Sequence, residues 1–310
     1  VVTVYEFLER RLGPISRKLT AALFLIGRLV ADGARLYLAA LTLTVLFEID
    51  IKIAATVLVV TTAAYTLHGG IKAVIWTDVL QGVVFVGGGL WILGQLIWDL
   101  LGQGYRASAL FGELQAADKL DVFNPGTLQQ ALTDPYTFQA AFFGGIFLTM
   151  ATHGTDHDMA QRVLTCRNRE DSVRSLLWSG WANLGVGIMF LLVGLALWLG
   201  AQHGTFTAVE NVSPILTYLK THATPALRGI FTAAILAAAM SSLSSAFAAS
   251  TATLSNDLLP VHWRDTLAKN RLVMLVLSIM VWALSLGTHA FKQANPDWDF
   301  AVLLHPALAE

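Results

Sequence analysis

Ala237-Ala238-Ala239-Met240-Ser241-Ser242-Leu243-Ser244-Ser245-Ala246 lies in the middle of an apolar run from about residue 226 to 256. A run of that length reads as a membrane span, because a helix needs roughly 20 residues to cross about 30 Å of hydrocarbon. Four hydroxyls within five positions at that depth are unusual. On a helix Ser241 shares a face with Ser244 and Ser245, at i+3 and i+4. Ser242 points roughly 100° away. Two readings are open. Small residues let helices approach closely, and a serine can bond to the carbonyl four residues earlier. Alternatively, hydroxyl and carbonyl oxygens form two adjacent ligand sets for a hard cation.

Six further apolar runs flank this one, at about 19–47, 51–68, 73–101, 138–160, 174–202 and 268–290. Seven spans fit the composition: 55% of residues are hydrophobic, 13% are charged, and mean hydropathy is +0.61. Ordinary soluble domains carry about 25% charged residues, so much of this surface faces lipid. The expected fold class is an all-α polytopic membrane protein, residues 1–310 forming one membrane domain. A lipid-facing backbone must satisfy its own hydrogen bonds, and no alternating ten-residue segments suggest a β-barrel. A net charge of −1 leaves no electrostatic case for nucleic acid. The chain opens at Val1, which suggests a fragment of a longer polypeptide.

Basic residues divide unevenly between the two sets of connections. One set holds Arg10, Arg11, Arg17, Lys18, Lys72, Arg162, Arg167, Arg169, Arg174, Arg264, Lys269 and Arg271. The other holds Lys52, Arg106, Lys119, Lys220 and Lys292. The richer set is cytoplasmic by the positive-inside rule. The residue-1 end is then inside, and the longest loop, 102–137, is external. Asn124-Pro125-Gly126 and Asp134-Pro135 within it are turn chemistry.

Three other constellations carry charge into the membrane. Asp78 stands a turn or two inside the run that Gly69-Gly70-Ile71-Lys72-Ala73-Val74-Ile75-Trp76-Thr77 opens. It is either a functional carboxylate or an interfacial residue held by Lys72 or water. His153-Gly154-Thr155-Asp156-His157-Asp158 ends the fourth run. Histidines at i and i+4 invite a zinc reading, but no third ligand cluster accompanies them. A partly broken helix end lining a water-filled cavity fits better. Arg28, Asp32 and Arg35 form a network within one helix. It is either structural, or its residual positive charge draws an anion.

Taken together, these residues resemble the sodium:solute symporter family. The match rests on Val4-Tyr5-Glu6-Phe7-Leu8-Glu9-Arg10-Arg11, the string from Gly69 to Gln81, Gln161-Arg162, and Ala237 to Ser245 followed by Asp257. The resemblance implies a LeuT-like core of two inverted five-helix repeats, with binding sites near the midplane. The seven spans then correspond to core helices three to nine, and the core is incomplete. It implies one sodium ion on the Ala238 carbonyl and the Ser241 and Ser242 hydroxyls, completed by the first core helix. A second sodium would take Asp78, Ser244 and Ser245, with Ser241 shared. Sugar-carrying members place an aromatic gate where this chain has Thr152. With His153 and Asp156, Thr152 is expected to line the substrate pathway.

The implied function is sodium-coupled import of a small organic solute across an inner or plasma membrane, by binding linkage and not by catalysis. The alternative is a transporter-like sensor module of a larger signalling protein. An intramembrane enzyme would use Asp156 with His153 or His157, but lacks a recognisable nucleophile or metal set.

Overall fold

The computed structural model describes residues 3–295 apart from 122, 128, 135, 136, 155, 208–212 and 261–266; residues 70, 71, 151, 153 and 154 are described by backbone alone. Pro135, Arg264 and the His153 side chain therefore lie outside the described residues. The described residues form helices and no strands. A short amphipathic helix, α1 (Val4–Leu12), leads into the long α2 (Pro14–Phe47). The Thr3 hydroxyl accepts from the Glu6 amide at 3.3 Å to cap α1, and Gly13 at φ +89° ends it. Pro14 starts α2 at a position where its missing N–H costs nothing. Ala21, Leu25, Leu29, Asp32, Leu36 and Ala40 form the buried stripe of α2, at helical spacing.

The next two expected spans form one helix, α3 (Ile51–Gly102), that folds back on itself. The Tyr65 hydroxyl lies beside both Gln81 and Ser244. In a straight helix residues 65 and 81 would stand about 24 Å apart. Gly69 lies at the bend: a Cβ there would fall inside the Ala73 methyl, which no regular helix produces. The two arms, Ile51–Gly69 and Lys72–Gly102, are each long and apolar enough to cross a membrane. The physical reason for the fold-back is lipid thickness, since 52 residues in line would span about 78 Å.

The external loop contains α4 (Ala107–Ala116), which packs through Leu110 and Leu114 on the end of α7. Gly126 adopts φ +52°, as the expected Asn124-Pro125-Gly126 turn requires. The expected fourth span, 138–160, is not continuous. It divides into α5 (Phe138–Gly154) and α6 (His157–Leu164). Asp156 is the reason: its carboxylate accepts from the Asp158 amide at 2.9 Å and caps a new helix. The chain continues through α7 (Arg169–Gln202), α8 (Pro214–Thr221), α9 (Pro225–Thr253) and α10 (Leu267–Ala294). Of the seven expected spans, six reach membrane-crossing length among the described residues, and the seventh is represented by the shorter apolar Phe138–Met150.

The centre of the molecule is α9. From Leu243 to Ala249 it is buried almost all round. Its alanines and serines permit this, because small side chains let backbones come close. The second arm of α3 runs antiparallel to it. Ile92 and Leu96 share a core with Leu227 and Phe231, Gly88 meets Ala234, and Asp78 meets Ser241. On the outer face Trp76 and Trp98 are 68% and 74% exposed. They stand 22 residues apart (98 minus 76), about 33 Å along the helix. That separation fits aromatic anchors at the two edges of a bilayer.

The two ends of the bundle are tied separately. At one end the Tyr218 hydroxyl donates to Asp99 Oδ2 at 2.6 Å and Lys220 meets Glu48 at 3.1 Å. At the other, Thr3 and Arg17 both donate to the buried Asp257 Oδ1, at 2.8 and 2.7 Å, fastening α1 to the π-helical turn Leu254–Leu258 that ends α9.

Close helix approach gives a stability test. A Cβ on Gly88 would lie 2.7 Å from the Ala234 Cβ, and one on Gly33 2.7 Å from the Leu284 Cβ. Gly88→Ala and Gly33→Ala are each expected to destabilise the detergent-solubilised protein by about 1–3 kcal/mol, as overpacking does. Gly94, with nothing within 4 Å, should tolerate Ala with no loss and up to about 1 kcal/mol of gain. Thermal midpoints check this; equal midpoints for all three variants would contradict the packing described.

Candidate cation site

The serines of α9 meet Asp78 of α3. Ser241 Oγ donates to Asp78 Oδ1 at 2.6 Å, and Ser245 Oγ approaches Asp78 Oδ2 at 3.4 Å. Helical spacing explains it: positions 241 and 245 are one turn apart on the face that α3 covers. Ser244 is fully buried and donates to the Ser241 carbonyl at 3.0 Å. The Tyr65 hydroxyl lies beside Ser244 and donates to the Met240 carbonyl at 3.1 Å. On the neighbouring face Ser242 Oγ donates to the Ala238 carbonyl at 3.2 Å, so these two oxygens are also adjacent.

Arg162, which the sequence offers as one of the cytoplasmic basic residues and as part of Gln161-Arg162, completes this arrangement. Its Nη2 lies 3.0 Å from Asp78 Oδ2 and also donates to Ser245 Oγ. The site is thus a carboxylate and two hydroxyls holding a cationic group. Chemically it is a set of hard oxygen donors with one negative charge, suited to a monovalent cation.

A line of ion pairs runs on from Arg162. Its Nε lies 3.6 Å from Asp158 Oδ1, and Asp158 Oδ2 accepts from Arg28 Nη2 at 2.8 Å. Arg28 also meets Asp32 at 3.3 Å and Asp156 at 3.7 Å, and Asp32 meets Arg35 at 3.1 Å. The network of Arg28, Asp32 and Arg35 therefore extends beyond its own helix. Its further partners are the carboxylates of α6.

The expected substrate-pathway residues are placed as follows. Thr152 is exposed on α5 and its hydroxyl donates to the Leu148 carbonyl at 3.0 Å. His153 belongs to α5 by its backbone. Asp156 caps α6 and reaches Arg28, so it joins the cation site through Arg28, Asp158 and Arg162 and not by direct contact. Beside the break, a cleft of about 760 Å³ opens between α5, α6 and α7, lined by Thr149, Met159, Ser179 and Asn183. His157 is fully buried against Tyr5, with ring centroids 5.9 Å apart.

Comparison with known proteins follows this geometry. The sequence profile of the sodium:solute symporter family matches residues 1–299. The human sodium-coupled monocarboxylate transporter 1 is 27% identical over 273 residues, 86% of this chain and 43% of that protein. The sodium/sialic acid symporter of Proteus mirabilis is 27% identical over 261 residues, 83% of this chain and 51% of that protein. This chain therefore spans about half the length of the curated relatives it matches. A solved Na+-coupled sialic acid symporter, in a substrate-bound outward-open state, superposes with a TM-score of 0.81 at 23% identity, over 93% of this chain and 62% of that one. The fold is shared, a LeuT-like core within a multi-pass membrane protein, and the chain belongs to the sodium:solute symporter family.

Proposed function

We propose that this chain forms most of the core of a sodium-coupled symporter that imports a small organic solute, with two sodium ions bound along α9. The observation that carries the reading is Asp78. It is a carboxylate on an apolar helix arm, held by a serine hydroxyl at 2.6 Å and balanced by a cation at 3.0 Å. Ionisable groups at membrane depth are costly and mark functional sites by default. The second sodium would take Asp78, Ser241, Ser244 and Ser245. The first would take the Ala238 carbonyl with Ser241 and Ser242, completed by ligands from the rest of the protein.

Coupling follows from linkage. Sodium binds one conformation better and shifts the population toward the state that accepts solute. Each sodium ion brings about 2.3 kcal/mol per 100 mV, so two bring roughly 4.6, enough for about 10³-fold accumulation. Two relatives are named for monocarboxylates and for sialic acid, both carboxylate-bearing solutes, which supports a small organic acid here. Thr152, His153 and Asp156 would line its inner route. A cleft of about 760 Å³ beside that segment is within the range that holds a small ligand. The membrane would be an inner or plasma membrane, and the grouping of basic residues supports a cytoplasmic residue-1 end.

Equilibrium binding of radioactive sodium to the purified full-length protein tests the stoichiometry without knowledge of the solute. Wild type is expected to bind two ions and Asp78→Asn one. Ser241→Ala should weaken sodium binding by about 1–3 kcal/mol, the cost of an unmade bond to a charged group. Equal stoichiometry in wild type and Asp78→Asn counts against the second site.

Cysteines at 152, 153 and 156 in a Cys166→Ser background test the pathway. Thiol labelling should change with sodium and slow with a transported carboxylate. Fast labelling, indifferent to both, would make the segment ordinary surface.

A further inference from the structure

Among the described residues, the ion-pair line that ends at Asp78 is one positive charge short. Asp78, Asp158, Asp156 and Asp32 supply four carboxylates; Arg162, Arg28 and Arg35 supply three guanidiniums. Most of it is withdrawn from water: the side chains of Asp78, Asp158 and Arg28 are only 12–13% exposed and Asp32 is 2% exposed. Uncompensated charge in such surroundings is expensive. One further monovalent cation would make the line neutral.

Among the described residues, these groups offer such a cation gathered hydroxyl and carboxylate oxygens at Asp78 with its serines. There, one nitrogen of Arg162 holds both Asp78 Oδ2 and Ser245 Oγ. A hard cation bonding those two oxygens at about 2.3–2.6 Å would sit beside the guanidinium nitrogen that already bridges them, and two like charges that close, partly withdrawn from water, repel. The ion and Arg162 therefore compete for the site. Arg162 has a second partner ready, because Asp158 lies four residues earlier on the same helix, 3.6 Å from its Nε.

We propose that Arg162 is a tethered counter-cation of the second sodium site and that sodium displaces it onto Asp158. With the site unloaded, Arg162 binds Asp78 and Ser245 and ties α6 to α3 and α9. With sodium bound, Arg162 turns to Asp158, the line becomes neutral, and that tie is released. The eight-residue α6 has its own cap at Asp156, so it can move as a unit relative to α5. Sodium at Asp78 thereby controls the position of the inner half of a broken helix. The inference rests on the two-sodium reading above and adds what the ion must displace.

The test uses the purified full-length protein and sodium alone as the probe. Removing the competitor should tighten sodium binding, whereas removing a merely structural arginine should weaken it or leave it unchanged. In Arg162→Gln the Asp78-dependent sodium is expected to bind at least about tenfold tighter, the scale of one partly buried ion pair. Arg162→Lys, which keeps the charge on a side chain that cannot make the forked contact, should show a smaller tightening in a chain that folds normally. A second readout follows α6 directly. With Ala160→Cys in a Cys166→Ser background, sodium should speed thiol labelling when Arg162 is present. With Arg162→Gln, labelling should be fast in choline and sodium alike. Equal or weaker sodium binding in both Arg162 variants, or labelling that ignores sodium when Arg162 is present, overturns the proposal. Asp78→Asn separates the two levels. If it binds as many ions as wild type, the two-sodium reading falls and takes this inference with it. If it loses one ion while both Arg162 variants bind like wild type, only the latch is wrong.

Discussion

A carboxylate inside an apolar helix bundle must be given a cation, and much of this architecture serves that requirement at Asp78. An ionised group at the bilayer centre costs several kcal/mol unless it is paired or solvated by protein dipoles. Three features meet to supply the pairing. The fold-back of α3 near Gly69 sets Asp78 against the middle of α9. The small residues of α9 allow an approach close enough for Ser241 to reach Asp78 at 2.6 Å. The break after α5 frees α6 to carry Arg162 onto the same carboxylate.

The two readings of the serine row are therefore not rivals. Close packing and oxygen ligation need the same residue type. Ala in place of Ser would pack as well but would leave Asp78 without a hydroxyl donor. Leu or Val would supply neither the space nor the oxygen. Ser244 is buried and bonded to the Ser241 carbonyl within the packed face, beside Ser241 and Ser245, which meet the carboxylate. That arrangement follows from a turn of 3.6 residues meeting a partner on one side.

What could be read in the sequence was whatever stood out against an apolar background. Asp78 and the serines did, because polar groups are rare in such runs. Their meeting across 163 positions came from resemblance to a family and not from spacing. Arg162 was harder to see. It lies among other basic residues of a helix end, and its partners are 84 and 83 positions away (162 minus 78, 245 minus 162), too far for any local pattern. The segment from His153 to Asp158 was legible as a broken helix end because Gly154 and a capping Asp156 are local signals. Its charges were read as belonging to a water-filled mouth, yet Asp156 and Asp158 are partners of Arg28 on α2. The seven runs marked the spans, with the two arms of α3 at Ile51–Gly69 and Lys72–Gly102, except at 138–160, where Asp156 starts a new helix.

The central claim is that one carboxylate, Asp78, serves two cations in turn. It is tested most directly by structures of the full-length protein in sodium and in choline, comparing the separation of the Arg162 guanidinium from the Asp78 carboxylate. The account predicts a direct ion pair in choline. In sodium it predicts an ion among Asp78, Ser241 and Ser245, with Arg162 turned to Asp158. An Arg162–Asp78 pair that stays intact while sodium occupies those oxygens would contradict it.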